Sequence, residues 1–81
     1  MSQHERLSFG EKAVGLTFNP SGDEDVAKIK RLYAEIIDIC ANARTVELEG
    51  PSSEHNRLLS IAITEAQGAQ MWAVKAITWK D

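Results

Sequence analysis

From Leu58 to Trp79 the chain carries only two charged side chains, Glu65 and Lys75, while Ala62, Ala66, Ala69, Ala73 and Ala76 recur at alternating intervals of four and three. That spacing is one face of an α-helix, and small side chains along it let a second helix approach closely. Leu59, Ile63, Met71, Trp72, Val74, Ile77 and Trp79 surround the row, so the helix is apolar on more than one side. A hairpin partner covers one side; the other needs another chain. Length points the same way. A chain of 81 residues has a small core and usually needs disulfides, a metal or partner chains. Cys40 is the single cysteine, so no disulfide forms within the chain. His4, His55 and Cys40 are scattered without the spacing of a metal site, and no metal or cofactor is expected. Oligomerisation remains.

The Leu58–Trp79 stretch is long enough to span a bilayer, but Glu65, Gln67, Gln70 and Lys75 interrupt it. It reads as a buried helix of a soluble protein, with no membrane partner. One unpaired cysteine and a polar segment from Met1 to Leu7 predict a reducing, cytoplasmic compartment. The formal net charge of −3 argues against long DNA or RNA, whose binding by counterion release favours basic proteins. A mildly acidic domain can still hold a small anion in a local pocket.

The predicted fold is all-α: one domain over 1–81, with a short N-terminal helix followed by a long antiparallel helical hairpin, assembled as a homo-oligomer. The helices are expected over about residues 9–16, 22–45 and 53–79. Thr17 to Gly22 breaks the first, since Pro20 biases Asn19 towards an extended conformation. Ser21 followed by Glu24 has the spacing of a capping box, and Asp23, Glu24 and Asp25 suit the positive end of a helix dipole. Val26, Ile29, Tyr33, Ile36, Cys40 and Ala43 make one face of the second helix, widened by Leu32, Ile37 and Ile39. This helix should fade near Arg44 to Val46 and stop at Gly50-Pro51. Ser52 or Ser53 caps the third, with Glu54 in its first turn.

Catalysis finds little support. There is no nucleophile elbow, no His-Glu-x-x-His and no phosphate-binding glycine loop. His4 lies near the start of the chain, His55 suits a capping or solvent-facing role, and Cys40 reads as a small core residue. Glu65 and Lys75 are either interchain partners or a solvated edge. Phe9-Gly10 and Phe18-Asn19-Pro20 form either a lid over the hairpin's end or an aromatic platform for a nucleobase. Lys28, Lys30 and Arg31, near a helix N-terminus, either meet a phosphate or balance Asp23 to Asp25. Arg57 either holds an anion or pairs with Glu54 or Glu49.

The order Leu7-Ser8-Phe9-Gly10-Glu11-Lys12-Ala13-Val14-Gly15-Leu16-Thr17-Phe18-Asn19-Pro20, then Arg57-Leu58-Leu59-Ser60-Ile61-Ala62, Thr64-Glu65-Ala66-Gln67 and Met71-Trp72-Ala73-Val74-Lys75-Ala76-Ile77, resembles the phage anti-CBASS cyclic-nucleotide sponges. The likeness is greatest to the versions of large, T4-like tailed phages. A related hairpin occurs in sponges that counter Thoeris defence. The likeness runs from about Leu7 to Trp79; the loop Val46 to Gly50 carries no match.

The resemblance implies a homohexamer that works in the cytoplasm of an infected bacterial host. It would bind cyclic di- and trinucleotides, such as cyclic GMP-AMP, hold them uncleaved and so starve CBASS effectors. For cyclic dinucleotides it implies a site between chains drawn from Phe9, Gly10, Phe18, Lys28 and Lys30. Phe9 or Phe18 is the aromatic and Lys28 or Lys30 the cation. For cyclic trinucleotides it implies a separate pocket with Arg57, Ser60 and Thr64. Stacking contributes about 1–3 kcal/mol per base, and charge-assisted phosphate contacts about 1.5–3 kcal/mol each. Two of each reach nanomolar affinity, about −12 kcal/mol, after ordering costs. Two rivals stand beside this reading. One is an oligomeric helical module that masks a partner protein. The other is a cyclic-nucleotide hydrolase, which would need a base or metal cluster that the chain lacks.

Overall fold

The computed structural model describes residues 6–44 and 53–81. The expectations placed on His4, Val46–Gly50, Gly50-Pro51 and Ser52 lie outside them. Three helices follow in order: α1 Phe9–Ala13, α2 Glu24–Ala43 and α3 Glu54–Ile77.

A capping box does occur, but on α1. The Ser8 hydroxyl accepts from the Glu11 amide at 3.1 Å, and the Glu11 carboxylate accepts from the Ser8 amide at 2.8 Å. Helix α1 stops three residues short of the expected Leu16 because Gly15 takes φ +64°. The Gly15 amide then donates to the Lys12 carbonyl and the Leu16 amide to the Glu11 carbonyl. These paired bonds form a Schellman motif, closed by a residue in the left-handed region.

The expected box at Ser21 and Glu24 is not formed. Asp23 caps α2 instead, its carboxylate accepting from the Asp25 amide at 2.7 Å and the Val26 amide at 3.3 Å. Ser21 braces the turn before it: its hydroxyl donates to Asn19 Oδ1 and accepts from the Asp23 amide. The Gly22 amide closes that turn on the Asn19 carbonyl at 3.1 Å, with Pro20 second in the turn. Ser53 caps α3 by accepting from the Asn56 amide, and the Thr78 hydroxyl ends it by donating to the Val74 carbonyl at 2.8 Å.

Helix α2 lies between the other two and packs on both. The core joins Val14, Ala34, Ile37 and Ile63, with Ala13, Leu16, Tyr33, Cys40, Ala41 and Ala66 against it. The buried line on α2 is Val26, Lys30, Ala34 and Ile37, which corrects the stripe expected from the sequence. Ile36 and Ala43 point outwards, Ile29 is half-buried, and Ile37 is fully buried. The neighbours decide this: α1 comes against the backbone at Ala34, an approach that requires glycine at position 10.

The line that α3 buries is Asn56, Ile63 and Gln70. The alanine row is not its centre. Ala66 joins the core, Ala62 and Ala73 are half-buried, and Ala69 and Ala76 are exposed.

The molecule measures 48 × 37 × 12 Å. Its least dimension is about one helix diameter. The helices thus form a single layer, whereas a domain ordinarily closes its core with a second. Leu32, Ile39, Leu58, Met71, Trp72 and Trp79 are among the large apolar side chains left exposed. No helix among the described residues is long and apolar enough to cross a membrane.

Candidate functional site

Two regions gather the residues expected to bind ligand. The first is where the turn after α1 meets the start of α2 and the end of α3. Lys30 is 6% exposed. Its ammonium donates to the Gly15 carbonyl at 3.0 Å and to the Phe18 carbonyl, and lies 5.5 Å from the centre of the Phe18 ring. The lysine thus supplies donors to a turn whose own carbonyls lack helical partners. An ammonium has three N–H bonds and two are spent, so one donor remains. A cleft of about 210 Å³ opens here, lined by Phe18, Pro20, Val26, Lys30, Val74 and Thr78.

Of the five residues implied for cyclic dinucleotides, the structure brings Phe18 and Lys30 together. The Phe18 ring is largely exposed and forms one wall of the cleft. Lys28, two residues from Lys30, is exposed on another face of α2. Phe9 is half-exposed at the start of α1. Gly10 is buried: its amide donates to Asp38 Oδ1 at 2.7 Å, and a Cβ there would stand 2.2 Å from the Ala34 carbonyl oxygen. Asp38 is eight residues along α2 from Lys30, about 12 Å of helix rise. Within one chain, Phe9 and Gly10 are therefore at a different level of α2 from the cleft.

The second region lies at the start of α3. Arg57 forms a two-point pair with Glu54, Nε to Oε1 at 2.9 Å and Nη2 to Oε2 at 2.7 Å. Of the two expected partners, the first-turn carboxylate Glu54 is the one among the described residues; Glu49 lies outside them. The pairing holds the Glu54 carboxyl below its ordinary range and raises the Arg57 guanidinium. Both side chains are more than half exposed. Ser60 and Thr64 follow on the same face at intervals of three and four. Thr64 is exposed. The Ser60 hydroxyl accepts from Nη1 of Arg44 at 3.2 Å. His55 closes the hairpin at the same end, its Nε2 3.1 Å from the Ala43 carbonyl oxygen.

Sequence reasoning treated Arg44 only as the fading end of a helix. Its approach to Ser60 comes from the antiparallel return of the chain, which spacing along one helix does not reveal. The Trp72, Lys75 and Trp79 group was also missed as a unit. The Lys75 ammonium lies 5.5 Å from one ring and 5.9 Å from the other, a spacing of three and four that was visible. Lys75 is thus an exposed cation braced by aromatics.

A family model for the Acb2/Tad1 hairpin domain matches residues 11–78. The match covers Phe18, Lys28, Lys30, Arg57, Ser60 and Thr64, and begins immediately after Gly10. No curated protein and no solved structure matches the chain.

Proposed function

Because the chain belongs to the Acb2/Tad1 hairpin family of sponge domains, which bind signalling molecules rather than cleave them, we propose that it sequesters cyclic oligonucleotide second messengers and so blocks CBASS effectors. It acts in the cytoplasm of a phage-infected bacterium and releases its ligand uncleaved. The observation that carries this reading is the Phe18–Lys30 cleft. It joins an exposed aromatic ring to a nearly buried ammonium with a donor to spare. A base stacks on such a ring, and a phosphate accepts from such an ammonium.

The cleft also has a telling size. At about 210 Å³ it is smaller than the roughly 300–1,000 Å³ of ordinary small-molecule sites. A single layer of helices offers half a site, and a neighbouring copy completes it. Phe9 and Lys28, exposed and away from the cleft, are available to contribute from that neighbour. The assembly is the homohexamer that the family resemblance implies, and the exposed apolar faces of α2 and α3 are what it covers. Arg57, Ser60 and Thr64 form the separate cyclic-trinucleotide pocket.

The apolar surface equally suits the rival reading, an oligomeric module that masks a partner protein. Incubation with a panel of cyclic di- and trinucleotides, followed by heat release and chromatography, separates the readings. Recovery of intact ligand is the expected result. Cleaved ligand would indicate a hydrolase, and no uptake would leave the protein-masking module.

A further inference from the structure

Glu65 and Lys75 are the only charges between Leu58 and Trp79, and both are exposed. At about 100° per residue, Ile61, Glu65, Gly68, Trp72, Lys75 and Trp79 fall within about 40° of one line along the helix. This face lies opposite the Asn56, Ile63 and Gln70 line that α3 buries within its own fold. Trp72 and Trp79 are more than half exposed on it. The Lys75 ammonium sits 5.5 Å and 5.9 Å from their ring centres, so the three side chains share one side of the helix end, although Trp79 follows the cap. Gly68 interrupts this bulky face. A Cβ there would meet no atom of the described residues within 4 Å. Glycine is the poorest helix former after proline, and nothing among the described residues calls for it.

The face is complementary to itself. Ile61 and Trp79, Glu65 and Lys75, and Gly68 and Trp72 are pairs whose members are equidistant from position 70. When two copies of α3 lie antiparallel and cross at that level, each member of a pair stands level with the other member on the opposite helix. A two-fold contact demands this property, since residue i meets j and j meets i. Within one chain Glu65 and Lys75 are ten residues apart, about 15 Å of helix rise, and cannot neutralise each other. Across the two-fold they meet at both ends of the contact. The gap at Gly68 receives the largest side chain, Trp72, in the manner of a knob entering a hole. We propose that α3 pairs antiparallel with α3 of a second copy of this chain, Trp72 of each seated on Gly68 of the other and Glu65 of each paired with Lys75 of the other. This deepens the self-assembly proposed above, of which it names one contact, and it requires no ligand.

The test is sedimentation velocity of the full-length protein over a dilution series, with charges reversed on this face. Glu65→Lys or Lys75→Glu alone sets like charges level at two points of the contact and should raise the concentration of half-dissociation roughly three- to thirtyfold. The two reversals combined restore opposite charges at both points and should recover most of the wild-type value. A contact in another register, or with a different protein, gives no such recovery. Gly68→Leu fills the gap and should yield smaller species with unchanged helicity by circular dichroism. On a free face the same change favours the helix, so it would raise the thermal midpoint and leave the mass unaltered. The pairing is overturned if the wild type sediments as a single chain, if the double reversal assembles no more tightly than the single ones, or if Gly68→Leu keeps the wild-type mass. Uptake of cyclic GMP-AMP by the wild-type protein is measured alongside. Uptake without recovery in the double reversal removes this contact and leaves the sponge reading. Recovery without uptake of any cyclic nucleotide leaves the contact and removes the sponge reading.

Discussion

The amide of Gly10 donates to the Asp38 carboxylate at 2.7 Å, across 28 residues of sequence, and the Ser8 hydroxyl donates to the other oxygen of the same carboxylate at 2.7 Å. One side chain on α2 thus fixes the start of α1. Five residues of helix have almost no stability alone, so this contact and the Val14 packing decide whether α1 exists. Gly10→Ala would drive a methyl group into the Ala34 carbonyl. We expect a loss of about 1–3 kcal/mol in chemical denaturation. Asp38→Ala removes two charge-assisted bonds and should cost at least as much, about 1.5–3 kcal/mol for each bond. Wild-type stability in both variants would mean that α1 is not held this way.

Lys28 and Lys30 should behave differently. Lys30→Met removes the ammonium from the Phe18 carbonyl and leaves the Gly15 carbonyl with only the Phe18 amide, in a partly buried turn. The expected cost is about 1–3 kcal/mol, read from the thermal midpoint. Lys28 is exposed, and Lys28→Ala should change stability by less than about 0.5 kcal/mol. Because Lys30 both braces the turn and faces the cleft, its effect on ligand needs Phe18→Ala beside it. That variant should weaken cyclic dinucleotides about ten- to a hundredfold, with unchanged helicity by circular dichroism.

Oligomerisation is testable at Ala69. This residue is exposed in the single chain, so Ala69→Leu meets nothing within its own fold. If the alanine row is a close interface between copies, the added bulk costs about 1–3 kcal/mol per site. Light scattering should then show smaller species while circular dichroism shows the same helix content. An unchanged mass would place the interface elsewhere.

The Glu54–Arg57 pair gives a pH signature. Arg57 holds the Glu54 pKa below its ordinary value, so the folded state favours the ionised carboxylate. The resulting stability is fully present above the unfolded-state pKa and is lost as pH falls through the folded one. Thermal midpoints of wild type and Glu54→Gln should keep a constant difference from neutral pH to about pH 5 and converge in more acid solution. The effect is small, since both groups are exposed. A difference that grows on acidification would contradict the pairing.

The sequence by itself determined the helices, because their signals are local. Periodic apolar positions, Ser52 or Ser53 as a cap, and the Asn19-Pro20 break each act within a few residues. Family membership was legible too, since Arg57 through Ile77 and the segment ending in Phe18-Asn19-Pro20 keep their order in the chain. Two caps escaped for an equally local reason. Ser-x-x-Glu occurs at both Ser8 and Ser21, and at the start of α2 Ser21 and Asp23 are rival caps; only the settled backbone chooses Ser8 for α1 and Asp23 for α2. What tertiary structure alone decided is which face of each helix is inside. Helix α2 carries isoleucines and leucine on more than one face, so periodicity named Ile36, whereas in the fold α1 lies against the backbone at Ala34 through Gly10, and Ala34 and Ile37 are inside. A charged residue entered the buried line because Lys30 finds two carbonyls on a distant turn. Arg44 came to Ser60 because α3 runs back along α2. Hydrogen bonds between residues 12 to 30 apart leave no period in a sequence, since they arise only where the chain returns on itself.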